Sequence, residues 1–168
     1  MNKQTKKIAF VGLLASLAMV LSYFEFLLPP IYAGLPGIKM GLPNIVIIFT
    51  LYKFGIKEAA SVSFVRLVCT SLLFGTVMTF WYSLAGAVLS LLLMWLLKHT
   101  NLFSKIGVSV VGGISHNIGQ ILVAILLLGR AEIGYYLTVL TVTGTIAGAL
   151  IGITASYLLK LLARVKID

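Results

Sequence analysis

Six runs of apolar residues divide the chain, at about 8–28, 40–54, 59–75, 77–97, 106–128 and 134–162, with charged or turn-forming residues between them. A helix needs about 20 such residues to cross a bilayer, and in hydrocarbon the backbone must satisfy its own hydrogen bonds. The pattern therefore predicts an all-α membrane protein, a six-transmembrane-helix bundle forming a single integral domain over residues 1–168. Composition agrees: 60% of residues are hydrophobic and 10% charged, against about 25% charged in soluble domains. The start "MNKQTKK" leads into Ile8–Leu28 without an A-x-A-like cleavage site, so that run is expected to persist as the first helix. The second run is the shortest. "NIVIIFTLY", between Pro43 and Lys53, spans only by recruiting "IKMGL" while Lys39 snorkels outward; a re-entrant segment in a five-helix bundle is the alternative.

Charge sets the expected orientation. Lys3, Lys6, Lys7, Lys53, Lys57, Lys98, Lys105, Lys160, Arg164 and Lys166 fall on one side, ten of the 13 basic residues; Lys39 and Arg130 fall on the other, and Arg66 lies within a helix. Both termini are then cytoplasmic, in a multi-pass protein of a bacterial plasma membrane surrounded by lipid. The net charge of +9 follows from this bias and the scarcity of acids, and does not point to nucleic acid. Cys69 is the single cysteine, so neither a disulfide framework nor a cysteine-based metal site can be built within one chain. All four prolines, Pro29, Pro30, Pro36 and Pro43, occur in a stiff outer loop over residues 29–43, either a binding loop or a connector.

Polar side chains interrupt the apolar runs at mid-depth. In "SHNIGQ" (115–120), His116 and Gln120 share a helix face, with Asn117 beside it. Arg66 lies near the middle of the third run, with Ser63 and Thr70 on its side. An intramembrane charge costs about 2.5 to 3.5 kcal/mol on insertion scales, so Arg66 must face protein or trapped water. Arg66, His116, Asn117 and Gln120 are expected to converge on one outward-opening cavity suited to an anionic or carbonyl-bearing ligand. The alternative is that they hydrogen-bond across helices and lock the bundle. Tyr23, Tyr32, Trp81, Tyr82, Tyr135 and Tyr136 ring the expected mouth, as an aromatic belt or as stacking surfaces. Glu25 and Glu132 at that end are read as surface partners of Lys39 or Arg130.

Small residues mark contact faces. Gly144, Gly148, Gly152 and Ser156 recur at four-residue spacing, a face that lets another helix approach closely. Ala9, Gly12, Ala15, Ser16 and Ala18 form a similar patch on the first helix, where a foreign helix could dock. Catalytic signals are absent: there is no G-x-x-x-x-G-K-[ST] loop, Asp168 is the one aspartate, and Glu25, Glu58 and Glu132 stand apart. Carboxylate-held magnesium is thus not expected, nor any other metal or cofactor, and the chain does not read as an enzyme.

A basic start into "AFVGLLASLAMVLSYFE", then "LPGIKMGLPNI", "SFVRLVCTSLLFG" and "ISHNIGQI", together resemble the Gx transporter family, labelled heptaprenyl diphosphate synthase component I. That family is similar to the S-components of energy-coupling factor (ECF) transporters. The resemblance spans nearly the whole chain, although Pro43 stands where a small residue is expected before Asn44. It implies a substrate-binding subunit of an ATP-driven uptake transporter. A small molecule, such as a prenyl or quinone precursor or a flavin, would enter a pocket covered by the first loop, adding Lys39 and Asn44 to the four mid-depth residues. Ala9, Gly12, Ala15 and Ser16 would dock a transmembrane coupling subunit driven by two ATPases. The alternative is the non-catalytic membrane subunit, component I, of heptaprenyl diphosphate synthesis.

Overall fold

The structure, a computed structural model, describes residues 2–28 and 41–164. Six α-helices follow in order: α1 (Lys3–Leu27), α2 (Asn44–Lys53), α3 (Ile56–Phe74), α4 (Val77–Thr100), α5 (Lys105–Leu128) and α6 (Tyr136–Leu161). Short 3-10 turns lie at Ala131–Tyr135 and Leu162–Arg164, and no strand occurs among the described residues. Residues Gln4–Leu27, Val77–Thr100, Lys105–Leu128 and Ala131–Leu161 are long and apolar enough to cross a membrane. This is a multi-pass membrane protein. The exposed apolar side chains that cover it, such as Leu72 and Leu126, suit lipid as their solvent.

Local chemistry explains most helix ends. Thr76 and Thr79 form a reciprocal capping box at the start of α4, and Ser104 Oγ accepts from the Gly107 N–H at 3.1 Å to cap α5. Asn101 and Gly129 end α4 and α5 in the left-handed region, at φ 54° and 64°.

The second helix departs from expectation. It starts only at Asn44, with Gly41 at φ 74° and the Asn44 N–H closing a turn onto the Gly41 carbonyl at 2.8 Å; residues 38–40 of "IKMGL" lie outside the described residues. Pro43 then starts the helix at φ −61°. Proline disfavours helical backbone in the residue before it, so Leu42 stays outside. With 10 residues, α2 is about 15 Å long, half a bilayer. Helices this short are viable at membrane depth when wrapped in protein. Val46, Ile47, Ile48, Phe49, Thr50 and Leu51 are all buried, and the core gathers around them: Leu14 and Ala18 of α1, Ala59 and Val62 of α3, Met94 of α4, Val108 of α5 and Ile151 of α6.

α5 is clasped between α4 and α6 along seams of small residues. A methyl carbon on Gly86 or on Gly119 would lie 2.7 Å from the carbonyl oxygen of His116 or Ala85, respectively, across the α4–α5 seam. On the other side, methyl carbons on Gly144, Gly148 and Gly152 would sit 2.7 to 2.8 Å from Asn117 Nδ2, from Ser109 O and from Ile106 Cα. The four-residue repeat on α6 therefore packs inside the bundle.

Basic residues collect at the end of the bundle where α1 begins and α6 finishes. Lys53 Nζ donates to Leu162 O at 3.3 Å, and Lys98 Nζ donates to Leu51 O at 2.7 Å. Lys98 and Lys105 also stand 5.2 and 5.9 Å from the centre of the Tyr52 ring. Lys7 pairs with Glu58 there, and its hydrogen bond holds the Glu58 carboxyl below the usual carboxylate range.

Candidate functional site

Because α2 fills only half the depth of the bundle, a cavity of about 100 Å³ is left beyond its first residues, in the half remote from the basic end. Every helix contributes to its wall: Ser22 and Glu25 from α1, Asn44 from α2, Arg66 and Thr70 from α3, Ser83 from α4, His116, Asn117 and Gln120 from α5, and Thr143 and Gly144 from α6. The four polar residues of the third and fifth runs are thus neighbours of one space, and Asn44 joins them because Pro43 starts α2 at its edge. Lys39 lies outside the described residues.

Arg66 is the least satisfied group in the wall. Its Nη1 is 3.5 Å from Ser22 Oγ, at the outer limit for a hydrogen bond, and Ser22 donates its own proton to Ala18 O at 2.8 Å. The Nε atom is shut off from solvent and has no hydrogen-bond partner. A buried donor left unpaired is costly, and a guanidinium brings five N–H groups. The start of α2 borders the same space through Gly41, Pro43 and Asn44, its first N–H groups bonded to the carbonyls of Gly41, Leu42 and Pro43.

Glu25 faces inward rather than forming a purely superficial pair. One carboxylate oxygen accepts from the Gly41 N–H, which ties the turn ahead of α2 to α1, and its charge acts on the Arg66 guanidinium. An ionisable residue inside an apolar run was the sequence signal for it, the same one that singles out Arg66. Ser22, one turn before Glu25, belongs to the same face.

The fifth-helix residues divide in role. Asn117 Nδ2 donates to Leu140 O at 2.6 Å, a bond across the α5–α6 seam, so this side chain locks the bundle while lining the cavity. Gln120 lies with its Cγ against Gly86. His116 sets both its carbonyl oxygen and its ring carbon Cε1 against the same glycine and also lines the cavity. Among the described residues the aromatic side chain in the wall is Phe74, which stacks with Phe26 and Tyr23 at centroid distances of 5.0 and 5.9 Å. Trp81, Tyr82, Tyr135 and Tyr136 do not line it, and Tyr32 lies outside the described residues.

The small patch on α1 is split by packing. Ala9, Gly12 and Ser16 are exposed, and nothing lies within 4 Å of where a Gly12 methyl would be. Ala15 and Ala18 point the other way, at 7% and 0% exposure, into the core against α2 and α3. Ala15 is therefore a packing residue and not part of an outer face. Among the described residues no group of three or more His, Cys, Asp or Glu is assembled that could hold a metal ion.

No curated protein and no solved structure matches the chain. A family model described as heptaprenyl diphosphate synthase component I matches residues 14–158, which takes in all of α2 to α5 and most of α1 and α6. With its helices, its membrane-crossing lengths and this match in agreement, the chain belongs to the heptaprenyl diphosphate synthase component I family.

Proposed function

We propose that this protein is a non-catalytic membrane subunit of prenyl diphosphate synthesis, and that its contribution is a small-molecule site within the bilayer. The family description supports the partnership. The distribution of acids supports a non-catalytic role. Prenyl transfer from a diphosphate uses magnesium held by carboxylates, whereas Glu25 is in the cavity, Glu58 pairs with Lys7 at the basic end and Glu132 lies in the 3-10 turn before α6. The observation that carries the binding role is Arg66: a guanidinium with one nitrogen buried and without a partner, on a residue that lines a cavity walled by polar groups from six helices. Evolution tolerates such a cost mainly at functional sites. The test is copurification of the full chain with a soluble prenyl synthase in mild detergent. Long-chain product should fall when this chain is omitted and return when it is added; an unassociated synthase of unchanged output would overturn the partnership.

A second reading, the binding subunit of an ATP-driven uptake transporter similar to an ECF S-component, is favoured by the exposed face of Ala9, Gly12 and Ser16. The cavity also lies away from the basic end; the positive-inside rule puts that end, with both termini, in the cytoplasm and the cavity toward the outside. Copurification of a transmembrane coupling subunit with two ATPases distinguishes it. In either reading, a cavity of about 100 Å³ is small beside the roughly 300–1,000 Å³ of cofactor and drug sites.

A further inference from the structure

Leu102 and Phe103, in the turn between α4 and α5 at the basic end, are 83% and 48% exposed. Other strongly exposed side chains, such as Leu72 and Leu126, sit within apolar helices, where hydrocarbon covers them. Leu102 is bracketed instead by Lys98, His99, Thr100 and Asn101 before it and by Ser104 and Lys105 after it, a run too polar for the hydrocarbon core. At 24 residues each, α4 and α5 are about 36 Å long. The core is roughly 30 Å thick, and the charged ends of the two helices put the excess length at this turn. The turn is also built to hold its shape. Asn101 adopts the left-handed region at φ 54°, Thr100 Oγ1 accepts from the Leu102 N–H at 3.4 Å, and Ser104 caps α5. Phe103 packs over the first turn of α5, its Cδ1 3.7 Å from where a Gly107 methyl would lie, and Leu102 is left as the tip.

The face that carries this tip is cationic. Lys6, Lys57, Lys105 and Lys160 are exposed at the same end, and among the described residues the carboxylate there is Glu58, which pairs with Lys7. The positive-inside rule accounts for the lysines. It does not account for two large apolar side chains held out among them. An apolar centre inside a charged rim is the anatomy of a protein–protein interface, and a rim of one sign selects a partner of the other. We infer, resting on the reading of this chain as the membrane partner of a soluble prenyl synthase, that the synthase docks on this basic end. Leu102 and Phe103 seat in an apolar pocket of the synthase, and the exposed lysines of the face meet acidic residues around that pocket. The partner is thereby specified by its chemistry: a soluble protein whose docking surface is apolar at the centre and acidic at the edge.

Association of purified soluble prenyl synthase with the full chain in phosphatidylcholine nanodiscs tests this. An environment-sensitive fluorophore on Leu102→Cys reports the tip, with labelled wild type, whose thiol is Cys69, as the blank. Emission should be that of a solvated dye in the nanodisc alone and shift to the blue when synthase is added. Leu102→Ser should weaken association at least about tenfold, the order expected from withdrawing one buried leucine. Lys57→Gln with Lys105→Gln should slow association and flatten its dependence on salt. An unchanged melting profile establishes that each variant is folded. Emission already blue before synthase is added would place the tip in lipid, and a synthase that binds Leu102→Ser as tightly as wild type docks elsewhere; either result overturns the inference while the partnership stands. If the synthase does not bind wild type, both the inference and the partnership reading fail.

Discussion

Asn117 Nδ2 donates to Leu140 O at 2.6 Å, joining α5 to α6 at the depth of the cavity. The bond ties a residue of the cavity wall to the structural seam, so substitutions along α5 should separate into those that loosen the bundle and those that empty the site.

Asn117→Ala should lower stability by about 0.6 kcal/mol, the average for interhelical hydrogen bonds in membranes, and by no more than about 1.7. Gln120→Ala, whose side chain makes no such seam bond, should leave the melting temperature close to wild type. Thermal unfolding of both variants in one detergent checks the contrast.

Glycine positions offer a second contrast. Gly148→Ala places a methyl 2.8 Å from Ser109 O, against backbone that cannot yield easily. A cost of about 1–3 kcal/mol is expected from overpacking. Gly12→Ala meets open space and removes a mid-helix glycine, so it should be neutral or stabilising by up to about 1 kcal/mol. The same unfolding assay reads both. A loss of partner copurification in Gly12→Leu, with stability kept, would assign the exposed α1 face to docking.

The Lys7–Glu58 pair makes a pH prediction. Its carboxyl is held below the usual range by the Lys7 hydrogen bond, so the folded state binds a proton there less readily than the unfolded chain. The contribution is present at neutral pH, above the ordinary carboxylate range, and is lost as pH falls through the lowered value. The pair is partly exposed, so the effect should be at most about 1 kcal/mol and should shrink in salt. Stability against pH for wild type and Glu58→Gln should converge in acid and separate toward neutrality.

Much of this arrangement was legible in the residues themselves. His116 and Gln120 are one helical turn apart and Arg66 lies at matching depth in its own run, so periodicity alone grouped them. α2 was harder: its start is set by Gly41 at positive φ and by the constraint Pro43 places on Leu42, local effects that an apolar run does not display. Glu25 is an ionisable residue in an apolar run, but so near its end that a surface pair fitted it equally; the shortness of α2, which leaves the space it lines, makes it a cavity residue. Ala15 differs from Ala9, Gly12 and Ser16 by which neighbours α1 packs against, a tertiary fact invisible to composition.

The most direct measurement is native mass spectrometry of the full chain, purified gently from its own membranes, beside an Arg66→Ala variant that elutes and melts as the wild type does. The account predicts a small molecule retained by the wild type and missing from Arg66→Ala. A wild type that arrives empty, or a bound molecule that Arg66→Ala keeps, would contradict it and make Arg66, Asn117 and Gln120 bundle-locking residues alone.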